Sequence, residues 1–387
     1  MLFAGTELGA YVSFDDGDHW QSLQLNLPVT SVRDFAIHGD DLVVATHGRS
    51  FWILDNITPL RQVSDAGRAK AFWLYHPANA YRIDNDSFQG TPIPPEEPTA
   101  ENPPSGAMID YFVKTPADKV QLEIFDAQQN PVRKFSSEDP IPPKHAPLPV
   151  AERWFPKPEM LEKTPGMHRF VWNLTWRNSG GPSADEEAEY RNPSGPKVVP
   201  GLYQVRLTVN GETQDQPLQV FMDPRSPMTS EQLQRQLDIA QQIYTETLAA
   251  RRALAEIGSV QKKLAEAQKK VGEQNKSLKS SLEEAQSEIA RIQTTRESSP
   301  DKSPGLQDSF MGLSSSLRAV ESGDRAAPSQ AVALYKESSE HIKVRIAEWV
   351  AFKQTKLPPL NRKLRENDLS AIEISEIQQE VDNLMSQ

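Results

Sequence analysis

The stretch LFAGTELGAYVSFDDGDHW (2–20) decides how the chain begins. Asp15-Asp16-Gly17 is a strong turn signal, because a short carboxylate accepts hydrogen bonds from its own turn and glycine tolerates positive φ. Gly9 to Phe14 read as one strand before it, and Trp20 to Leu23 as the next strand after it. Ser13, Asp15, Gly17 and Trp20 then belong to one hairpin whose turn the tryptophan ring can cover. Shifted by 40 residues, the same texture returns in LVVATHGRSFWILDNITPL (42–60), with Leu2 on Leu42, Thr6 on Thr46, Tyr11 on Phe51 and Asp15 on Asp55. A period of about 40 residues is that of a four-stranded propeller blade. The second copy keeps the aspartate and loses the serine, glycine and tryptophan.

The pattern Ser13-x-Asp15-x-Gly17-x-x-Trp20 resembles the Asp-box of BNR-repeat β-propellers. The stretch DDLVVATHGRSFWILDNITPLRQ (40–62) is similar to the last blade of bacterial sortilin-like (VPS10-type) BNR-repeat proteins, often named glycosyl hydrolases. In such blades the box lies between the third and fourth strands. Counted back, Leu2 to Gly5 is a second strand whose first is missing. A complete blade follows, with strands at Val32–His38, Leu42–Thr46 and Ser50–Leu54 and a short fourth piece at Leu60–Val63. The resemblance implies that 1–68 are terminal β-propeller blades, one partial and one complete. One and a half blades do not close a propeller, and a cut sheet exposes a pairing edge. The chain is therefore expected to be the C-terminal part of a longer protein, with the missing N-terminal blades of a parent chain as its first partner.

From about 71 to 225 the texture changes, and most of the 31 prolines fall here. TPIPPEEPTAENPPSGAMIDYFV (91–113) starts as an extended, polyproline-like connection, placed at 69–106, and becomes a strand near Ala107 to Val113. VQLEIF (120–125) alternates Val120, Leu122 and Ile124 on one face, and Val132 to Phe135 returns. MHRFVWNL (167–174) sets His168, Phe170, Trp172 and Leu174 on one side. GLYQVRLTVNGETQDQPLQVFM (201–222) is the clearest hairpin, turned by Asn210-Gly211. Short strands between turn clusters predict a β-sandwich over 107–226, similar to an immunoglobulin or fibronectin type III module. PPEEPTAENPPSGAMIDY (94–111) and GMHRFVWNL (166–174) resemble the domain that follows the propeller in the same family. Glu96-Glu97 reads as a solvated acidic turn, since neighbours on an extended chain point to opposite faces.

The last part, 227–387, reads as a helical bundle. Helices are expected over 230–270, 276–297 and 305–322, with a fourth reaching Thr355. Leu233, Leu237, Ala240, Tyr244 and Leu248 form one stripe, and Ile342, Ile346, Trp349 and Val350 another. Four amphipathic helices with short links predict an antiparallel bundle. LPPLNRKLREN (357–367) is similar to the closing segment of the family, and 368–387 has helical texture. The fold class is thus multidomain, β then α: partial propeller blades, a β-sandwich, then helices.

Several functions are excluded or left without support. A formal net charge of -11 argues against nucleic acid as a partner, which needs a basic footprint. There are no cysteines, and the seven histidines show no HExxH spacing, so no metal site and no cofactor is expected. No apolar run approaches the roughly 20 residues of a membrane span, and Met1-Leu2-Phe3-Ala4 shows no signal peptide. Asp15 is assigned to the turn and not to chemistry, so no catalytic residue is named; Arg33, Arg49 and Arg61 are not grouped by any pattern. The candidate binding stretch is THGRSFW (46–52), where His47 and Arg49 offer donors beside Phe51 and Trp52, a mixture suited to sugars or peptides. The expected function is a non-catalytic scaffold or binding portion for protein, peptide or glycan, placed outside the cytoplasm by the resemblance. The alternatives are the end of a propeller glycoside hydrolase whose catalytic residues lie upstream, and a helix-mediated assembly module.

Overall fold

The computed structural model describes residues 1–64, 67, 69–83, 103–139, 160–176, 195–272, 275–294 and 303–374. The chain divides into two units, Met1–Ser230 and Glu231–Gln387. Glu96-Glu97 and the tail from 375 onward lie outside the described residues.

The first unit opens with two three-stranded antiparallel sheets. Sheet one holds β1 (Leu2–Thr6), β2 (Gly9–Ser13) and β3 (Gln21–Ser22); sheet two holds β4 (Val32–His38), β5 (Asp41–Thr46) and β6 (Phe51–Leu54). Each strand alternates, so each sheet has two distinct faces. Phe3 opposes Val12 and Gly5 opposes Ala10, and this face stacks on sheet two. The Phe3 and Phe35 rings lie 6.1 Å apart. Ala10, Leu27, Val32, Leu42, Val44 and Ile57 are buried between the layers. Gly5 permits the approach, because a Cβ there would lie 2.7 Å from Val32 Cγ1. Gly5→Val should push β1 off β4 and cost about 1–3 kcal/mol by overpacking. Thermal unfolding checks this, and an unchanged midpoint would mean that the two layers do not meet at Gly5.

The repeat survives in the structure with one correction. The β1–β2 tip has two residues, Glu7 and Leu8, between the paired Thr6 and Gly9. The β5–β6 tip has three, His47, Gly48 and Arg49, closed by Thr46 N–H donating to Ser50 O at 3.3 Å. Gly48 (φ 81°) and Ser50 (φ 63°) supply the left-handed backbone that this longer tip requires. Beyond the tip the equivalence therefore moves by one residue. Tyr11 matches Trp52, Val12 matches Ile53 and Asp15 matches Asn56. The expected fourth strand at 60–63 is also corrected. Thr58–Arg61 form a helical turn, α1, with a proline in its first turn, where the missing N–H costs nothing.

Two further sheets share one core. Their orders are β12-β9-β7 and β11-β10-β13-β14-β8, with β7 at Phe72–Leu74, β8 at Ala80–Arg82, β9 at Ala107–Val113 and β10 at Val120–Phe125. The remaining strands are β11 (Pro131–Ser136), β12 (Gly166–Trp172), β13 (Gly201–Val209) and β14 (Glu212–Met222). Asn210 (φ 50°) and Gly211 (φ 91°) turn β13 into β14, a pair of positive φ values that this turn type requires. Trp172 is fully buried, with its ring edge-on to Tyr203 at 5.5 Å and its N–H donated to Thr175 O at 3.1 Å. The expected connection over 69–106 is corrected, because β7 and β8 within it belong to the sheets. β7 pairs antiparallel with β9, and β8 pairs parallel with β14. Their apolar residues Phe72, Leu74 and Ala80 are buried in the core, a stronger demand than the prolines that follow them.

Among the described residues the second unit has five helices: α2 (Ser230–Lys270), α3 (Lys276–Gln293), α4 (Leu306–Val320), α5 (Ser329–Thr355) and α6 (Leu357–Glu366). They make three legs, not four. Gln261 bonds Gln293 and Gln268 bonds Gln286, so α3 descends beside the far half of α2. Gln236 Nε2 donates to Val320 O at 2.7 Å, so α4 descends beside the near half. The start of α4 abuts the end of α3, since a Cβ on Gly305 would lie 2.6 Å from Gln293 O. The ascending leg is α5, bonded to α2 first through Tyr335–Glu246 and later through Trp349–Glu256. It continues into α6, whose Lys363 bonds Ser281 on α3. The antiparallel four-helix expectation is thus replaced by an up-down-up arrangement in which α2 and α5 run parallel. Arg345 also changes the predicted stripe. It is buried with Ile342, Trp349 and Phe352, while Val350 is exposed.

Candidate functional site

The four residues of the 13–20 pattern form one closed turn. Ser13 is fully buried; its hydroxyl donates to Asp15 Oδ1 at 2.8 Å and accepts from Gly17 N at 2.9 Å. Asp15 Oδ1 also accepts from His19 N at 2.9 Å, and Oδ2 meets His19 Nδ1 at 2.7 Å. Asp16 (φ 59°) and Gly17 (φ 105°) carry the reversal, and Trp20 lies beside Gly17. Both carboxylate oxygens are therefore occupied. The His19 N–H, then its ring, then Ser13 hold the Asp15 carboxyl at about 2, below its ordinary 3.8. A group that stays ionised cannot donate a proton to a leaving group near neutral pH.

This has a pH consequence. The folded turn favours the deprotonated carboxylate, so its contribution is in place above about pH 4 and is lost as pH falls toward 2. An NMR titration of the Gly17 and His19 amides should show this acid transition in the wild type and not in Asp15→Asn. A titration near 4 in the wild type would contradict the closed turn.

The 46–52 hairpin lies at the opposite end of the strands. Glu7, on the β1–β2 tip, pairs with Arg33 at 3.4 Å at that end, while the 13–20 turn follows the far end of β2. The two predicted stretches are therefore not brought together. The hairpin tip is held by a backbone bond, His47 N donating to Ser31 O at 2.8 Å, and by the Trp52 indole, whose Nε1 donates to Arg49 O at 2.8 Å. The indole donor is thus committed to the turn itself. His47 and Arg49 are exposed and make no side-chain hydrogen bond or ion pair among the described residues. Phe51 is 73% exposed beside them.

One charged cluster was not found by sequence reasoning. Arg169 on β12 opposes Asp110 on β9 and donates Nε to its Oδ1 at 2.9 Å. Its two other nitrogens donate to Asp55 O at 2.8 Å and Asn56 O at 2.9 Å, just past β6. One guanidinium thus ties the early sheets to the later ones. Burial raises the Asp110 carboxyl and Arg169 opposes the rise. Burial and the nearby Asp41 raise Asp55. Arg169 and Asp110 are thus committed to structural bonds. Only the hydrophobic His168–Trp172 alternation marked this strand, and nothing in that pattern singles out Arg169.

Among the described residues, no group of three or more histidines or carboxylates is placed to hold a metal ion. No helix among them is long and apolar enough to cross a membrane. Compared with protein-family models, curated proteins and solved structures, the chain finds no match.

Proposed function

We propose that this chain is a non-catalytic binding and scaffolding portion of a sortilin-like BNR-repeat protein working outside the cytoplasm, and that it holds a protein, peptide or glycan without transforming it. In this reading sheets one and two are terminal propeller blades, the later sheets an immunoglobulin- or fibronectin-like sandwich, and the helices a supporting end. The observation that carries the binding role is the β5–β6 tip: free His47 and Arg49 donors and an open Phe51 ring on a backbone-fixed turn. A rigid tip gives up little conformational freedom when a ligand binds. The observation against chemistry is Asp15, whose two oxygens are consumed by its own turn.

A glycan array and a phage-displayed random peptide library probe the tip directly. The wild type should enrich ligands that His47→Ala/Arg49→Ala loses, with affinity falling at least about tenfold, or about 1.4 kcal/mol. Equal enrichment by both proteins would refute the assignment to the tip.

A further inference from the structure

The end of α5 and the whole of α6 run against the charge of the rest of the chain. Lys353, Lys356, Arg362, Lys363 and Arg365 fall close together in a protein whose formal net charge is -11. The three lysines are engaged. Lys353 Nζ donates to Glu256 Oε2 at 2.8 Å, Lys356 lies 3.8 Å from Glu288, and Lys363 Nζ donates to Ser281 Oγ at 2.7 Å. The two arginines are not. Arg362 and Arg365 are exposed and make no hydrogen bond or ion pair among the described residues. A guanidinium stays charged at any ordinary pH, so both charges stand uncompensated.

Both arginines line one cavity of about 400 Å³, with Lys353, Leu357, Pro358 and Asn361. Helical spacing brings them there: 353, 357, 361 and 365 follow one another a turn apart, and 358 and 362 lie beside them. The wall is fixed in advance. Asn361 Oδ1 accepts from Ile372 N at 2.7 Å and its Nδ2 donates to Ile372 O at 3.0 Å, so the returning chain consumes this amide. The Lys353 charge is offset by Glu256, and Leu357 and Pro358 offer the ligand apolar surface.

We propose that this cavity binds a phosphate monoester with an apolar substituent, held through Arg362 and Arg365. Two free guanidinium charges match a phosphate monoester, which carries nearly two negative charges at neutral pH, and their planar forks suit its oxygens. A single carboxylate would leave one cation without a partner. The cavity has the size of a small-molecule site and exceeds a bare phosphate, which leaves room for an apolar group on Leu357 and Pro358. The site lies wholly in the helical unit and does not depend on recognition at the 46–52 tip.

Calorimetric titration of the full chain at low salt, with phenyl phosphate, inorganic phosphate and benzoate as probes, tests it. Phenyl phosphate should bind at least about tenfold tighter than either of the others. Arg362→Gln/Arg365→Gln should weaken phenyl phosphate at least about tenfold, and Arg362→Lys/Arg365→Lys should fall between, since lysine keeps the charge and loses the fork. Arg318→Gln/Lys336→Gln removes the same charge from exposed positions outside the cavity and should bind as the wild type does. All these positions are exposed, so thermal midpoints should hold. A chain ending at Ile374 should also keep the wild-type affinity. No binding of phenyl phosphate at millimolar concentration, no preference over inorganic phosphate, or equal weakening by the two glutamine pairs would each overturn the proposal. Binding seen only after truncation at Ile374 would overturn it too, because the acidic stretch 375–387 would then be the occupant.

Discussion

Arg169→Met should destabilise the first unit by about 3–5 kcal/mol at neutral pH. The variant removes the guanidinium and leaves Asp110, a buried carboxylate, without its cation. It also leaves the Asp55 and Asn56 carbonyls without a donor that reaches them from β12. The loss should shrink in acid. Burial already raises the Asp110 carboxyl, and without Arg169 nothing on the facing strand opposes that rise. The folded variant therefore binds this proton more readily than the unfolded chain, and its stability is lost as pH rises through the folded value. Arg169→Met/Asp110→Asn should be milder than Arg169→Met alone, because no charge is left behind. Chemical denaturation at several pH values checks both points. A pH-independent loss would mean that the guanidinium acts through its carbonyl contacts and not through Asp110.

Trp349→Ala should cost the helical unit about 3–5 kcal/mol, the range for a large buried aromatic. The ring is 1% exposed, stacks on Phe352 at 5.5 Å and donates its N–H to Glu256 Oε2 at 2.8 Å. Lys353 Nζ donates to the same oxygen at 2.8 Å. The variant thus opens a cavity on α5 and strips one of the two donors from the carboxylate on α2. Trp349→Phe should recover most of the packing and none of the hydrogen bond. Thermal unfolding should place it between the wild type and Trp349→Ala. Equal midpoints for Trp349→Ala and the wild type would contradict the parallel placement of α2 and α5.

The parts of this fold legible in the sequence are those where one local rule dominates. Alternation located β10 and β13, and Asn210-Gly211 announced its own turn. The long stripe from Leu233 to Leu248 is buried along α2 as periodicity demands. The misses share a cause: a distant partner decided the outcome. β7 and β8 are three residues each and exist because β9 and β14 pair with them. The 60–63 segment has strand-like residues, yet it finds no fourth place in sheet two and closes as α1. The three-leg arrangement depends on α3 and α4 meeting end to end, which four separate amphipathic patterns do not reveal. Arg345 looks like a surface cation in its stripe but is buried, bonding Ser303 O, Pro304 O and Glu348. At the candidate site, the closed 13–20 turn follows from its own residues. The freedom of His47 and Arg49 is a property of what surrounds them, and composition does not encode that.

The central claim is recognition at the 46–52 tip without chemistry at Asp15. The most direct test titrates one ligand enriched by the wild type, peptide or glycan, into three proteins by calorimetry, with product analysis of each mixture. The account predicts binding without turnover by the wild type, loss of binding by His47→Ala/Arg49→Ala, and undiminished binding by Asp15→Asn. Product formed by the wild type and abolished in Asp15→Asn would contradict it.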